Sequence, residues 1–291
     1  MVDYVSIVIA TISLVGTLIT SIIAAWTSYY RDERQRIRDT DAIRSKYSDP
    51  LLLAAQDLQA KLRNFAREHG IANWITDQSV DRREYMLLHT CFTVGQYLAW
   101  VHILRSEVQF LRFTTDRDNR VLTRILGQIR QALRQDSGRT NYVPCVLFAG
   151  EQQAIGELMT KKDDNGHRVC MGYGEFYSRY KEDAGFRKWW NRFIDDLVVV
   201  AKAKVQGDVA AYPDQRLRKL QHLMIDLVRE LDQKGLRYQE EYLTPVPAAA
   251  NCPCIGCTRD AQSQTAEKRH IHEDSPYPDH RHRQTTDNYY V

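Results

Sequence analysis

This chain carries none of the short motifs in which catalysis is usually written. No Lys-Ser/Thr follows Gly150, Gly156, Gly172 or Gly174 and no clear strand precedes them, so neither a phosphate loop nor a dinucleotide fingerprint is present. Glu151 and Glu157 fall on different faces of one helix with no positioned His or Asp beside them. They read as capping or solvated groups rather than an acid–base pair. His89, His102 and His222 each sit alone within a helix, without a His, Cys or Glu four residues on, and read as core-edge histidines. Asp226, four after His222, reads as its partner on a helix face. A net charge of +3 over 291 residues supplies no basic excess, so nucleic acid is not an expected partner. Six scattered cysteines do not make a disulfide scaffold, and reduced thiols are the expectation.

Charge is missing most conspicuously from Tyr4 to Trp26, YVSIVIATISLVGTLITSIIAAW, and does not return until Arg31. At about 1.5 Å of rise per residue this stretch reaches roughly 35 Å, more than a hydrocarbon core of ~30 Å. A buried core helix is normally shorter than this. A cleaved leader calls for Lys or Arg ahead of a shorter apolar run and a small-x-small site after it, and neither flank fits. Trp26, Tyr29 and Tyr30 at one end and Tyr4 at the other suit the two bilayer interfaces. Arg31, Arg34, Arg36, Arg38, Arg44 and Lys46 follow the span and only Asp3 precedes it, so the positive-inside rule puts the N-terminus outside and the C-terminal domain in the cytosol. Ser13, Gly16, Thr20, Ser21 and Ala24 offer a weak surface for a homodimer, or are simply tolerated in a lone span.

Between Gly16 and Asp49 there is neither Gly nor Pro, so the helix is expected to leave the membrane as a polar stalk to about Lys46. Tyr47-Ser48-Asp49-Pro50 then reads as a break, with Asp49 capping a new helix and Pro50 at its first position. Leu51, Ala54, Ala55, Leu58, Leu62 and Phe65 give that helix an apolar face, His69-Gly70 supplies its stop, and the segment to Ser79 reads as a loop carrying Trp74. Asp81 and Glu84 have capping-box spacing at the head of a long helix to about Phe113, which carries Leu87, Cys91, Val94, Leu98, Val101 and Val108, interrupted by Arg105. Its apolar residues occupy more than one face, so it belongs at the centre of a bundle. From Asp116 to Arg134 an apolar face opposes Arg120, Arg124, Arg130 and Arg134, which read as a solvated outer face. Further helices are expected at Gly150–Met159, Glu175–Glu182, Phe186–Lys204 and from Asp214 to before Gly235, with a small hairpin around KKDDNGH within 145–173.

The fold class is therefore all-α: a single N-terminal transmembrane helix (1–30), a helical stalk (31–49), an antiparallel helical bundle (50–243) and a Pro-rich, aliphatic-poor disordered tail (244–291). The tail holds the strongest chemical suggestion. Cys252, Cys254 and Cys257, with His270 and His272 and the more distant His280 and His282, offer thiolates and imidazoles to a Zn²⁺ ion. The fourth ligand is ambiguous. Acylation of these cysteines and an inert tail are the alternatives.

Residues Tyr47–Leu62 (YSDPLLLAAQDLQAKL), Gly150–Glu157 (GEQQAIGE) and Met171-Gly-Tyr173 resemble signatures of an uncharacterised family of N-terminally anchored helical proteins, over about Val5 to Leu243. That resemblance implies the same anchored helical architecture and no activity, substrate or catalytic residue. The expected function is a membrane-anchored, cytosol-facing scaffold or partner-binding module with an unknown protein partner. A membrane-tethered enzyme and a metal- or redox-responsive protein using the tail cysteines are the alternatives.

Overall fold

A computed structural model describes residues 4–67, 70–76, 79–108, 116–134, 143–207, 214–233 and 235–261. The described chain is mostly helical, in the order α1 (Tyr4–Ala66), α2 (Ile71–Thr76), α3 (Val80–Val108), α4 (Asp116–Arg134), α5 (Ala149–Leu158), β1 (Thr160–Lys162), β2 (Arg168–Cys170), α6 (Tyr173–Glu182), α7 (Ala184–Val205) and α8 (Gln215–Leu231). The expected hairpin is present, with β1 and β2 antiparallel and Lys161 opposite Val169. Its turn is held by the Asp163 carboxylate, which accepts from the amides of Asn165 (3.0 Å) and His167 (2.7 Å).

The apolar periodicities fall where they should. Leu51, Ala54, Ala55, Leu58, Leu62 and Phe65 on α1 and Leu87, Cys91, Val94, Leu98 and Val101 on α3 are all buried. The side chain of Val108 and all of Phe110 and Phe113 lie outside the described residues. α3 packs on α1, α2, α5, α6, α7 and both strands, the central position its many-sided apolar surface calls for. α8 lies against α1 and α4. Beneath the hairpin, Phe92, Tyr173, Phe176, Phe186 and Trp190 form a chain of edge-to-face contacts with centroids 5.4–6.4 Å apart.

Three local expectations are corrected. The segment around Trp74, expected as loop, contains the short helix α2. Glu84 does not cap α3; its carboxylate receives Lys181 (2.7 Å) and the Tyr177 hydroxyl (2.9 Å) from α6. Most consequentially, Pro50 does not separate a stalk from a second helix, because α1 is one helix of 63 residues running through it. Its length is about 95 Å at 1.5 Å per residue. Proline removes one backbone donor and crowds the carbonyl one turn back, but Leu51, Leu52, Ala54 and Ala55 immediately after it are fully packed and hold the following turn in place. Asp49, instead of capping, pairs with Arg237. Pro50→Ala is accordingly expected to raise stability by about 1–3 kcal/mol, since it restores a helical hydrogen bond at an interior position. Chemical denaturation of the full chain in detergent reads this out; a loss of stability would indicate two helices meeting at Pro50.

The chain from 244 to 261, expected to be part of a disordered tail, is placed against α8, and residues 255–261 are helical. Few aliphatic side chains are needed, because Val246, Ala249 and Cys254 are buried and polar side chains of α8 bind the segment's backbone. Gln221 Oε1 accepts from the Val246 amide (3.2 Å) and its Nε2 donates to the Thr244 carbonyl (3.1 Å), while Gln215 Oε1 accepts from the Ala250 amide (3.2 Å). Residues 262–291 lie outside the described residues.

Candidate functional site

Two places gather chemically active side chains. The first is where the 244–261 segment crosses α8. Cys252, Cys254 and Cys257 project toward His222, and the four ligand atoms lie within 4.8 Å of one another. His222 Nδ1 is 3.4 Å from Cys254 Sγ and 3.4 Å from Cys257 Sγ. On the opposite side of the ring, Nε2 lies 2.6 Å from the Val246 carbonyl. A carbonyl can only accept, so Nε2 carries a proton and Nδ1 faces the sulfurs. The Cys257 amide donates to Cys254 Sγ (3.3 Å). One turn along α8, Asp226 Oδ2 accepts from the Ile255 amide (2.8 Å) and fixes the start of the 255–261 helix. Burial pushes the Asp226 carboxyl up to about 6.

Sulfur chemistry follows from this crowding. Hydrogen bonds from the Cys252 thiol and the His222 ring hold the Cys254 pKa down, and burial raises that of Cys257. His222 is raised in turn by its bond to Cys254. Cys254 is 4% and His222 6% exposed, which shuts this sulfur away from large electrophiles and acyl donors. All six cysteines are free thiols.

Of the metal-binding residues expected from sequence, Cys252, Cys254 and Cys257 come together, whereas His270 and His272 lie outside the described residues. His222, which reads from sequence as a core-edge histidine, faces the three thiols. Linear spacing could not find it: it lies 32 residues from Cys254, on another element.

The second place is a cavity of about 480 Å³ between α3, α4, α5 and the hairpin, lined by His102, Arg105, Arg130, Gln153 and Arg168 over an apolar floor of Leu98 and Leu126. Arg105, the residue that interrupts the apolar series of α3, and Arg130, expected on a solvated face of α4, both turn into it. Burial and then the neighbouring Arg130 charge lower the pKa of the Arg105 guanidinium. Arg168 has a loose carboxylate partner, Glu107, at 3.8 Å. Arg105 and Arg130 have none among the described residues. Gln152 holds the wall, donating to the carbonyls of Arg130 (3.1 Å) and Leu147 (2.7 Å).

The remaining candidates are structural. Glu151 closes the first turn of α5, accepting from the Phe148 amide at 2.7 Å, and pairs with Arg192. Glu157 is exposed. His89 stacks among Tyr85, Phe92 and Tyr173, and burial, then the Lys61 charge, push its pKa down to about 4.

The amino-terminal part of α1 is long and apolar enough to cross a membrane over Ile12–Arg31, and none of that window is buried by the rest of the chain. Several of its hydroxyls bond back to carbonyls of the same helix. Thr20 bonds the Gly16 carbonyl (2.7 Å), Ser21 that of Thr17 (2.8 Å) and Thr27 that of Ile23 (2.9 Å).

Comparison with known protein families, curated proteins and solved structures returns no match.

Proposed function

We propose that the protein is a single-pass membrane protein whose α1 crosses the bilayer and continues, without a joint, into a cytosolic helical bundle that serves as a binding module for an anionic, phosphate-bearing ligand. The carrying observation is that α1 has two different solvents along one helix. Ile12, Leu14, Ile19, Ile22, Ile23 and Trp26 are more than half exposed, whereas Leu51, Leu58, Leu62 and Phe65 are sealed in the core. A run of exposed aliphatic side chains this long is costly in water and favourable in lipid. The arginines from Arg31 onward support a cytosolic C-terminal side.

The cavity supplies the binding reading. Its volume suits a small ligand. Guanidiniums without a carboxylate partner among the described residues favour a bidentate anion, and phosphate matches their planar fork. The charged side chains among the described lining residues are arginines, which supports an anionic ligand.

Calorimetry on the full chain in nanodiscs, with pyrophosphate and ATP as probes, tests this. Binding is expected, weakened at least about tenfold in Arg105→Glu/Arg130→Glu. Absence of binding, or affinity indifferent to both reversals, contradicts the reading. Binding only to phosphoinositide-containing vesicles would replace the soluble ligand with a lipid.

A further inference from the structure

We propose that His222, Cys252, Cys254 and Cys257 form a structural Zn²⁺ centre of the Cys₃His type that clasps residues 244–261 to α8. Tetrahedral zinc, with Zn–S near 2.3 Å and Zn–N near 2.0–2.1 Å, requires its sulfur and nitrogen ligands to stand about 3.5 Å apart. The two Nδ1···Sγ separations are 3.4 Å each, and the third sulfur completes a group whose members are all within 4.8 Å. The donor set is soft sulfur with one imidazole, the combination that selects zinc over magnesium or calcium.

The surroundings are those of a ligand shell. The Nε2–H of His222 donates to the Val246 carbonyl, which fixes the ring and leaves the Nδ1 lone pair on the sulfur side. The Cys257 amide points at Cys254 Sγ, as expected where a thiolate carries negative charge. Gln128 Nε2 donates to the Pro253 carbonyl (3.2 Å) and Asp226 holds the Ile255 amide, so the backbone on both sides of Cys254 is anchored by α4 and α8. Binding is a ligand exchange without redox change: Zn²⁺ leaves its water ligands, three thiols release three protons, and four bonds form to three sulfurs and one nitrogen. Without metal, a disulfide oxidant such as oxidised glutathione could take two electrons and two protons from Cys254 and Cys257 to leave a disulfide between them, which would remove two of the four ligands.

A centre of this kind adds folding free energy where the apolar core is thin. Segment 244–261 has few buried aliphatic side chains, and the clasp explains how it stays on α8.

The test is the zinc content of the full chain purified in detergent without chelator or added metal, with Co²⁺ exchange as a spectroscopic readout. About one zinc per chain is expected, and the Co²⁺ form should show thiolate charge-transfer bands with the intense visible bands of tetrahedral cobalt. Cys254→Ser and His222→Ala should each cut bound zinc at least about tenfold, whereas His222→Cys and His270→Ala/His272→Ala should keep it. The last two variants keep the test decisive should the first two fail to fold. A reduced chain with neither zinc nor Co²⁺ uptake overturns the proposal, as does a native Cys254–Cys257 disulfide. Zinc that survives His222→Ala but is lost in the His270/His272 variant places the site on the tail instead, and zinc indifferent to all four variants is adventitious; both outcomes contradict it.

Discussion

Trp190→Ala is expected to destabilise the helical domain by about 3–5 kcal/mol, the range for deleting a fully buried aromatic ring. Trp190 is 0% exposed and stands where α7, α6, α3 and the α5 end meet. Phe176 meets it edge-on at 5.5 Å and Phe186 at 6.4 Å, so the void left by the indole is lined by rings that cannot collapse into it. Gly95 is cut to its shape: a Cβ there would lie 3.0 Å from the indole Cη2 and 3.0 Å from the Met159 terminal methyl. The indole N–H has no hydrogen-bond partner among the described residues, which makes Trp190→Phe informative. Phenylalanine loses volume but also removes an unsatisfied donor, so its cost should stay below about 1.5 kcal/mol. Denaturation of the full chain in detergent, followed by circular dichroism, gives both values. A cost under about 1 kcal/mol for the alanine variant would mean that this cluster does not organise the domain.

Arg216→Met should cost about as much, for an electrostatic reason. The side chain is 3% exposed, and its guanidinium donates to the carbonyls of Pro144 (2.9 Å), Leu133 (3.1 Å) and Val143 (3.3 Å) and to that of Ala132. Ala132 and Leu133 belong to the last turn of α4, whose carbonyls have no partner within the helix. One cation therefore ends α4 and ties down the strand-like approach to α5. Methionine fills the volume but leaves several buried acceptors unpaired at about 1–3 kcal/mol each before relaxation, so a net loss of about 3–5 kcal/mol is expected. Lysine should recover only part of it, since one ammonium cannot span the fork of carbonyls. Equal stability of the Met variant and the parent would contradict this role.

What could be read along the chain was whatever repeats locally. The apolar steps of α1, α3 and α4 are a helix-period pattern, and each fell on a buried face; the hairpin was signalled by a polar turn with a glycine at position 166, where φ is +78°. What could not be read depends on segments distant in sequence. Pro50 looks like a helix start because its local cost is visible and the packing of Leu51 and Leu52 that offsets it is not. Arg130 looks solvated until α3 and α5 wall it in. Segment 244–261 looks disordered because aliphatic content was the criterion, whereas its anchors are side-chain amides of Gln215 and Gln221 bonding to its backbone. His222 carries no spacing signal toward Cys254 at all. For segment 244–261 and for His222 the deciding contact is polar and long-range, and hydrophobic periodicity is blind to it.

The central claim is that lipid solvates the Ile12–Arg31 segment while the same helix, farther along, is solvated by protein. Alkaline carbonate extraction of membranes from cells expressing the full chain tests it most directly. The account predicts that the protein stays with the lipid pellet, and that substituting Ile19 and Ile23 by arginine, charges costing about 2.5–3.5 kcal/mol each at mid-span, releases it. Recovery of the unaltered chain in the carbonate supernatant would contradict it.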